Sequence, residues 1–554
     1  MNTKDIKFIK YEKFQDIKKK LLINYKTKSI SALFLFISLL FILNNKNDIS
    51  TLKINYITNK SNNNNIDIIN HISNNFVKFN TYYVHMHNTS DFFKYKYFIL
   101  MPGKNCPNKN LKTLFFKPKY PQTDFEYIKF QDKNITLNLV EPKDFTPIAY
   151  SKDLKKIREH FLTKMGFKLS NKLNSSNLCM TPYNINSKFK KNLFHYILND
   201  YQKVNRFLNY EDYASKSQLY INYKNFEERF PSDYDYMLET YSFPEEKIII
   251  EKKFKNYILK SNDDVWLIKP PLGSLGSNIS ILTNYSNINL KKYIITKYLY
   301  NPHLIKGYKY DFRFHGLITS IKPLILYLYN EGLVRLATEK YNLTANNNYE
   351  NKFVFLTNLF VNIKNKNKYI YPKNMTDMEE SNLWNLETFQ NYCSKNNIDY
   401  QKLINQVGDI FIKAIFSVRE KIINSINHYK LKNSNFYHLI GFDIILDQNL
   451  KPYLLEMNRR CAFRDDNDAE KYYTFNLIVD TLNIVGIRKT NKINELEKKE
   501  NLMNDILNEN LCELDRPRGG YKLIFPLKNN IEKYKKFYGK NIPKEDLNLW
   551  KYII

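Results

Sequence analysis

Side chains whose oxygens can bind a metal ion lie in two apolar segments of this 554-residue chain. Asp443 lies inside the predicted strand 437–446, and Glu456 ends the predicted strand 452–456, two residues before Asn458. A spacing of two places Glu456 and Asn458 on one face of a strand. Carboxylate and amide oxygens are the hard ligands that Mg²⁺ prefers, and a buried acid without a partner is costly. These residues predict a magnesium site; a salt bridge to a buried Lys or Arg is the alternative.

Charges of both signs alternate along a second segment. Lys309, Asp311 and Arg313 are separated by aromatic residues, and Arg335 follows after a strand and a turn. Alternate residues of a strand face the same way, so these charges share one face. Such a row can line a cleft for an anionic ligand. An exposed edge strand blunted by charge would give the same pattern.

A third segment has the residue types of a phosphate site. The predicted strand 265–268 is followed by Lys269 and then by a small-residue loop that contains Gly273 and Gly276. A Lys at a strand end can meet phosphate as a point charge, and small residues let backbone N–H groups approach its oxygens. No Gly-Lys-Ser/Thr sequence opens a helix, so this is not a Walker loop. A plain β-hairpin would look similar.

These side chains need a sheet to position them. Short β-type runs alternate with loops between residues 261 and 345, which predicts a sheet-rich core. The predicted strands there are 265–268, 279–282, 293–296, 312–319 and 324–329. Residues 185–260 are predicted to be mostly helical, residues 400–428 to form a helix, and residues 487–515 to be charged and helical.

The composition indicates a folded and strongly basic chain. Hydrophobic residues make up 43% and aromatic residues 15%, which excludes wholesale disorder. The formal net charge of +30 permits nucleic acid, an anionic membrane or an acidic protein as partner, although a compositional bias toward Lys and Asn contributes to it. The five Cys form no CxxC pair. We therefore expect neither a zinc module nor a disulfide framework, and a reducing compartment is the default.

The uncharged segment 30–43 follows a Lys-rich start of the chain. It is shorter than the roughly 20 residues that a membrane-spanning helix needs. It fits the hydrophobic part of a signal peptide or signal anchor. A buried apolar helix is the alternative, so membrane association through this segment stays open.

In this order, the three chemical segments resemble the tubulin–tyrosine ligase-like family, whose members have the ATP-grasp fold. The resemblance rests on Lys269-Pro270, Thr296 to Leu299, Lys309 to Arg313, Tyr329 to Tyr341, Leu356-Thr357-Asn358, Asp443 with Asp447, and Lys451 to Asn458. It covers residues 195–530. Upstream, Val204 to Phe207 and Lys216 resemble the family's segment before the ATP module, and residues 518–526 resemble a tail of some glutamylating members.

The resemblance implies a role for each matching residue. ATP would be bound by Lys269, Gly276, Lys297, Tyr298, Leu299, Lys309, Asp311, Thr357 and Asn358. Magnesium would be held by Asp443, Glu456 and Asn458. The catalytic candidates are Arg313, Arg335 and Lys309; the two arginines would hold the carboxylate of the incoming amino acid or an acyl phosphate.

The resemblance also implies a fold and an activity. The expected fold class is α+β: an ATP-grasp fold with a preceding N-terminal α/β region and a helical C-terminal extension. The expected divisions are 1–80 (basic N-terminus and Asn-rich linker), 81–190 (N-terminal region), 191–300 and 301–490 (ligase module) and 491–554 (helical, charged tail).

The implied activity is ATP-dependent addition of an amino acid, glutamate first, to tubulin through an acyl phosphate. The implied partners are the acidic C-terminal tails of tubulin or microtubules and free glutamate, without nucleic acid, in the cytoplasm and cytoskeleton. Tyrosine or glycine addition remains open. So does a catalytically inactive tubulin- or membrane-binding protein, because residues such as Leu275, Asn278 and Phe355 depart from the family pattern.

Overall fold

The computed structural model describes residues 76–79, 82–85, 96–117, 136–142, 145–150, 156–180, 199, 201–207, 215–257, 264–271, 279–284, 292–342, 351–372, 378–429, 431–458, 461, 463, 468–489 and 502–554. The apolar segment 30–43 and the loop residue Gly276 lie outside the described residues. Among those described, no helix has both the length and the apolar character to cross a membrane.

Two sheets come first in the chain. Strands β1 (Phe76–Phe79), β2 (Tyr82–His85), β3 (Tyr97–Leu100), β4 (Thr113–Phe116) and β5 (Thr136–Val140) form a sheet of order β1-β2-β5-β3-β4. Strands β6 (Ile148–Tyr150), β7 (Lys168–Ser170), β8 (Leu178–Cys179) and β9 (Lys203–Val204) form a parallel sheet of order β7-β6-β8-β9. Helix α1 (Lys156–Lys164) makes the crossover that the parallel pair β6 and β7 requires.

A third, antiparallel sheet carries the predicted phosphate segment. Helix α2 (Lys216–Glu227) precedes β10 (Thr240–Phe243), helix α3 (Lys247–Phe254), β11 (Trp266–Lys269), β12 (Ser280–Ile281) and β13 (Tyr293–Lys297). The strand order is β10-β13-β11-β12. The prediction that residues 185–260 are mostly helical is wrong for β10, where burial alternates with the period of two that suits a strand.

The largest sheet is antiparallel and eight-stranded. Its elements are β14 (Leu304–Ile305), β15 (Tyr308–Ile321), β16 (Leu324–Tyr329), β17 (Leu333–Leu336), α4 (Lys352–Phe355), α5 (Leu359–Asn362), β18 (Leu383–Asn385), α6 (Leu386–Lys395), α7 (Tyr400–His428), β19 (His438–Leu446), β20 (Pro452–Asn458), α8 (Asp468–Val485), α9 (Leu502–Leu514), β21 (Tyr521–Phe525), α10 (Ile531–Lys535) and α11 (Lys544–Ile553). Five strands follow the order β18-β17-β15-β16-β21. Strands β14 and β19 also pair with β15, and β20 pairs with β19.

Helices α7 and α8 cover the two faces of this sheet. Leu326 and Leu328 of β16 belong to the same buried cluster as the apolar residues of α7. Tyr327 and Tyr329, one position along, belong to the cluster that contains the apolar residues of α8. Alternate residues of a strand point to opposite faces, so the sheet is buried on both sides. The sequence predictions for α7, β16, β19 and the mixed α+β class are confirmed.

Two features of the structure differ from the sequence expectations. The predicted helical tail 491–554 contains β21, which pairs with β16 and so belongs to the central sheet. The sequence predicted no disulfide framework, and the structure adds one disulfide, between Cys106 and Cys512, across a separation of 406 residues. Neither a long-range strand pairing nor a long-range disulfide leaves a local spacing signal in the sequence.

Candidate active site

The alternating charges of β15 lie inside the molecule. Strand β15 pairs with β17 and β19 over the segment that holds Asp311 and Arg313, so it is not an edge strand. Lys309 and Asp311 are both 5% exposed or less. The exposed-edge alternative is therefore excluded, and the charges must be satisfied by partners within the protein.

Strand register brings acids and arginines face to face. Asp311 is the direct partner of Arg335 across β15 and β17, and Arg313 is the direct partner of Asp443 across β15 and β19. Arg335 Nε and Nη2 donate to the two oxygens of Asp311 at 2.8 and 2.5 Å, and Nη2 also donates to Asp443 Oδ2 at 2.8 Å. Arg313 donates through Nε and Nη2 to both oxygens of Asp443. The result is one connected network of four buried charges.

The two acids of this network differ in their proton affinity. Burial opposes ionisation of Asp443, but Arg313 and Arg335 outweigh burial and hold the pKa of this carboxyl below its usual range. Burial outweighs Arg335 at Asp311, so the pKa of Asp311 is raised. Asp443 is thus held as a carboxylate, the form that can bind a cation.

The other predicted magnesium ligands lie beside Asp443. Glu456 is opposite Asp443 in the β19–β20 register, and the side-chain amide of Asn458 donates to Glu456 Oε1 at 3.0 Å. Two carboxylates and an amide oxygen on neighbouring strands suit Mg²⁺ by donor chemistry. Within the described part of the chain, no group of three or more His, Cys, Asp or Glu side chains is placed to hold a metal ion. Asp443 is instead engaged in the salt bridges that the alternative reading anticipated.

Lys216, which the resemblance includes without giving it a role, also lies at this site. Its Nζ lies 3.0 Å from Glu456 Oε2, although 240 positions separate the two residues in the sequence. Ser215 caps α2 by accepting a hydrogen bond from the Gln218 N–H at 3.2 Å, which starts the helix at Lys216. The backbone N–H of Lys216 also donates to the Pro271 carbonyl at 3.1 Å. The start of α2 therefore joins the segment after Lys269 to Glu456.

The buried Lys309 and the half-buried Lys269 lie close enough for their charges to interact. Burial lowers the pKa of Lys269 to about 8, and Lys216 adds to the effect. Burial also lowers the pKa of Lys309 to about 7; Asp311 opposes this shift and Lys269 reinforces it. Lys309 Nζ donates to the Tyr298 hydroxyl and to the Phe355 carbonyl, both at 2.8 Å. Two amines of lowered pKa in one cleft are poised to gain protons when an anion arrives.

The residues predicted to surround a nucleotide base lie at the end of β13 and after α4. The Lys297 and Tyr298 N–H groups donate to the Glu239 and Val265 carbonyls, each at 2.8 Å. Tyr298 packs with Val354, Phe355 and Leu356 in a small buried cluster. Leu299 is half-buried. The structure therefore brings Tyr298 to Lys309.

The Leu-Thr-Asn segment meets the charge network at one residue. Thr357 lowers the pKa of the nearby Asp311 carboxyl, and Asn358 precedes α5 directly. The salt-bridge network itself runs from Asp311 through Arg335, Asp443 and Arg313 to Glu456 and Lys216. Gly276 is the one predicted site residue outside the described residues.

The chain thus has an α+β fold whose central sheet carries a network of paired acids and bases. Residues 195–550 match the tubulin-tyrosine ligase family, and the chain belongs to this family.

The curated relatives that match are glutamate-adding members by name. The tubulin polyglutamylase TTLL7 of Xenopus tropicalis is 29% identical over 309 residues, which is 55% of this chain and 34% of the relative. A probable beta-tubulin polyglutamylase of Tetrahymena thermophila is 30% identical over 361 residues, 60% of this chain and 30% of the relative. The tubulin monoglutamylase TTLL4 of Mus musculus is 29% identical over 292 residues, 52% of this chain and 24% of the relative. The matched part spans about a third or less of the length of these relatives.

Proposed function

We propose that this chain is an ATP-grasp carboxylate–amine ligase that uses ATP and Mg²⁺ to add glutamate to tubulin. The carrying observation is the salt-bridge network from Asp311 through Arg335, Asp443, Arg313 and Glu456 to Lys216, with Lys269 and Lys309 close to it, which collects anion-binding and cation-binding groups at one site. The names of the matched relatives support glutamate as the added amino acid and tubulin as the acceptor. Cytoskeletal localisation and the domain boundaries given above are part of the same proposal.

The proposed reaction has two steps. A carboxylate oxygen of the acceptor attacks the γ-phosphorus of ATP, and the bond to the β,γ-bridging oxygen breaks. ADP leaves, and the acceptor carboxylate has become an acyl phosphate. The amine nitrogen of the free amino acid then attacks the acyl carbon, phosphate leaves, and the nitrogen loses a proton to give an amide. Neither step needs a nucleophilic side chain.

The chain's own residues bind and orient the reactants. Lys269 and Lys309 would neutralise the phosphates, and Tyr298 with Leu299 would border the base. Arg313 and Arg335 are held rigidly by Asp443 and Asp311, so their remaining N–H groups can meet an anionic intermediate. Asp443, Glu456 and Asn458 would hold Mg²⁺, which neutralises charge on the phosphates when bound.

The test is ligation by the purified full chain. Tubulin, ATP and each of glutamate, tyrosine and glycine are supplied in turn, and the mass of the tubulin tails is measured. We expect mass increments with glutamate that depend on ATP. Replacing Glu456 by Gln removes one charge from the proposed magnesium set and should abolish them, whereas Glu532→Gln on exposed α10 should not. Ligation at the normal rate by Glu456→Gln would contradict the metal assignment.

A further inference from the structure

His315 lies beside Arg313 on the charged face of β15. One position separates the two residues, so their side chains point to the same side of the sheet. Gly441 of β19 is the direct partner of His315 in the strand register, and a Cβ on Gly441 would be 3.1 Å from Arg313 Cδ and 3.6 Å from its Nη1. The side chain of Arg313 therefore lies over the backbone of Gly441, next to His315.

Tyr473 of α8 holds the imidazole of His315. Its hydroxyl is 2.6 Å from His315 Nδ1, and the two residues are only 5% and 3% exposed. The ring of Tyr473 also packs against Tyr329, whose hydroxyl donates to Asp480 at 3.0 Å. Asp480 belongs to α8 as well, so ring packing and two hydrogen bonds attach this helix to the sheet near Arg313.

The imidazole next to Arg313 carries no charge at neutral pH. Burial lowers the pKa of His315 to about 3; Arg313 adds to the effect and Asp443 opposes it. Burial raises the pKa of Tyr473, and Arg313 opposes that shift, so the guanidinium is close enough to act on both rings. A neutral ring can lie against a guanidinium without competing for Asp443, whereas a second cation would repel it.

A like charge acts on Arg313 from one side. Arg313 Nη2 and Arg335 Nη2 both donate to Asp443 Oδ2, at 3.0 and 2.8 Å, and two guanidinium groups on one oxygen repel each other. Arg335 is paired with Asp311, which precedes Arg313 by two positions on β15, whereas His315 follows it by two. The imidazole therefore supports Arg313 on the side away from Arg335.

We propose that His315 and Tyr473 are positioning residues that keep the guanidinium of Arg313 in place, with Tyr473 acting through His315. The inference deepens the proposed function and rests on it, because Arg313 there meets the anionic intermediate. A displacement of about 1 Å can lower a rate about 100-fold. The pair should thus affect the reaction step more than the binding of ATP by Lys269 and Lys309.

The test measures kcat and the KM for ATP in ligation of glutamate to tubulin by the full chain. Tyr473→Phe removes the hydroxyl and keeps the ring; we expect kcat to fall about tenfold and the KM for ATP to stay within about twofold. His315→Leu should lower kcat at least as much. In His315→Gln the side-chain carbonyl can still accept from the Tyr473 hydroxyl, so this variant should recover most of the rate.

Two comparisons separate positioning from stability. The double variant of Tyr473→Phe with His315→Leu should have the kcat of His315→Leu alone, since Tyr473 acts through His315. Tyr534→Phe is the matched control, because the Tyr534 hydroxyl donates to Asp409 at the same distance of 2.6 Å, between α10 and α7. It should lower the midpoint of thermal unfolding as Tyr473→Phe does, without changing kcat.

The outcomes are distinct. A wild-type chain that ligates no amino acid overturns the proposed function, and the positioning role with it. A wild-type chain that ligates glutamate, together with an unchanged kcat in Tyr473→Phe and His315→Leu, overturns the positioning role alone. So does an equal loss of kcat in Tyr534→Phe, or a loss in His315→Gln as large as that in His315→Leu.

Discussion

At the scale of single residues, the site depends on shared charges. Asp443 accepts from two arginines, and Arg335 donates to two acids, so each group satisfies more than one partner. Such pairs add little net stability over apolar packing, yet removing one member leaves an uncompensated buried charge. The network therefore fixes the positions of Arg313 and Arg335. Replacing one of its members should lower the stability of the protein.

Replacing Arg335 by Gln should lower the free energy of unfolding by about 3–5 kcal/mol at neutral pH, because Asp311 loses both of its hydrogen bonds to a cation. The pKa of Asp311 is already raised, and it rises further in the variant. The loss should therefore shrink as the pH falls and Asp311 is protonated. Urea unfolding at several pH values measures it.

The matched control is an exposed ion pair. Lys368 lies 2.7 Å from Glu339 with its side chain 55% exposed. Lys368→Gln should cost less than about 1 kcal/mol. Equal losses in the two variants would show that the Arg335 network does not behave as a buried one.

The lowered pKa values of Lys309 and Lys269 predict proton uptake when ATP binds. Free Lys309 has a pKa of about 7 and free Lys269 one of about 8, and phosphate oxygens should raise both. Below about pH 6 both amines are almost fully protonated, so affinity should be nearly independent of pH. At higher pH, the affinity for ATP should fall. It should become constant again once the pH exceeds the pKa values of Lys309 and Lys269 in the ATP complex.

Calorimetry at pH 8 in two buffers of different ionisation enthalpy counts these protons. We expect an uptake of about one proton or more. Lys309→Met should reduce the uptake, whereas Lys402→Met on the exposed surface of α7 should leave it unchanged. No uptake in the wild-type chain would contradict the placement of ATP phosphates beside these lysines.

At the scale of elements, close packing between α7 and β15 positions the charged face of the sheet. Phe411 stacks on Phe442 with ring centroids 5.0 Å apart, and its ring lies directly against Gly316. A Cβ on Gly316 would approach ring carbons of Phe411 to 2.2–2.6 Å, closer than such atoms can come. A glycine is therefore required where helix and strand meet, opposite the cleft.

Gly316→Ala should destabilise the chain by about 1–3 kcal/mol, since the helix must move away from the sheet. Gly408 on the same helix is the control. A Cβ there would meet its nearest atoms at 3.8 Å, and alanine favours a helix. Gly408→Ala should thus be neutral or stabilising by about 0.5–1 kcal/mol. Thermal unfolding of both variants makes the comparison, and a neutral Gly316→Ala would contradict the described packing.

Local pattern was enough to predict some elements and not others. Helix α7 was predicted within its bounds because it carries an uninterrupted apolar periodicity over 29 residues. Strands β15, β19 and β20 were predicted from short apolar runs, which also contain Asp443 and Glu456. The contact between Lys216 and Glu456 could not be predicted from spacing, because only the tertiary fold brings α2 to β20. Strand β21 was missed because the tail was judged by its charge, although its burial comes from pairing with β16.

At the scale of the whole molecule, the net charge of +30 is much larger than the charge of the site, where acids and cations are mixed. The acids of the cleft are neutralised locally by Lys216, Arg313 and Arg335. The excess of positive charge therefore lies elsewhere, where it can attract an acidic partner over about one Debye length. Composition predicted a polyanionic partner only as one of several classes, and the matched relatives favour the acidic tails of tubulin within the proposal.

The Cys106–Cys512 bond ties the early β-sheet region to helix α9 across the longest loop that the described residues close. Asn105 reinforces the connection, because its backbone N–H and side-chain amide donate to Asp515 at 3.0 and 3.1 Å. Closing a long loop restricts the unfolded chain, so the bond should contribute about 2–4 kcal/mol. Reductant or Cys512→Ser should lower the midpoint of thermal unfolding by several degrees.

Thiol counting makes this prediction specific. Cys179, Cys393 and Cys461 are free and the chain has five cysteines, so the denatured chain should react at three thiols without reductant and at five with it. Cys393→Ser should keep the response to reductant, whereas Cys512→Ser should lose it, because the only cross-link among the described cysteines is then absent. Five reactive thiols in the untreated chain would show that Cys106 and Cys512 are not bonded. The two regions would then be held together by noncovalent contacts such as those of Asp515.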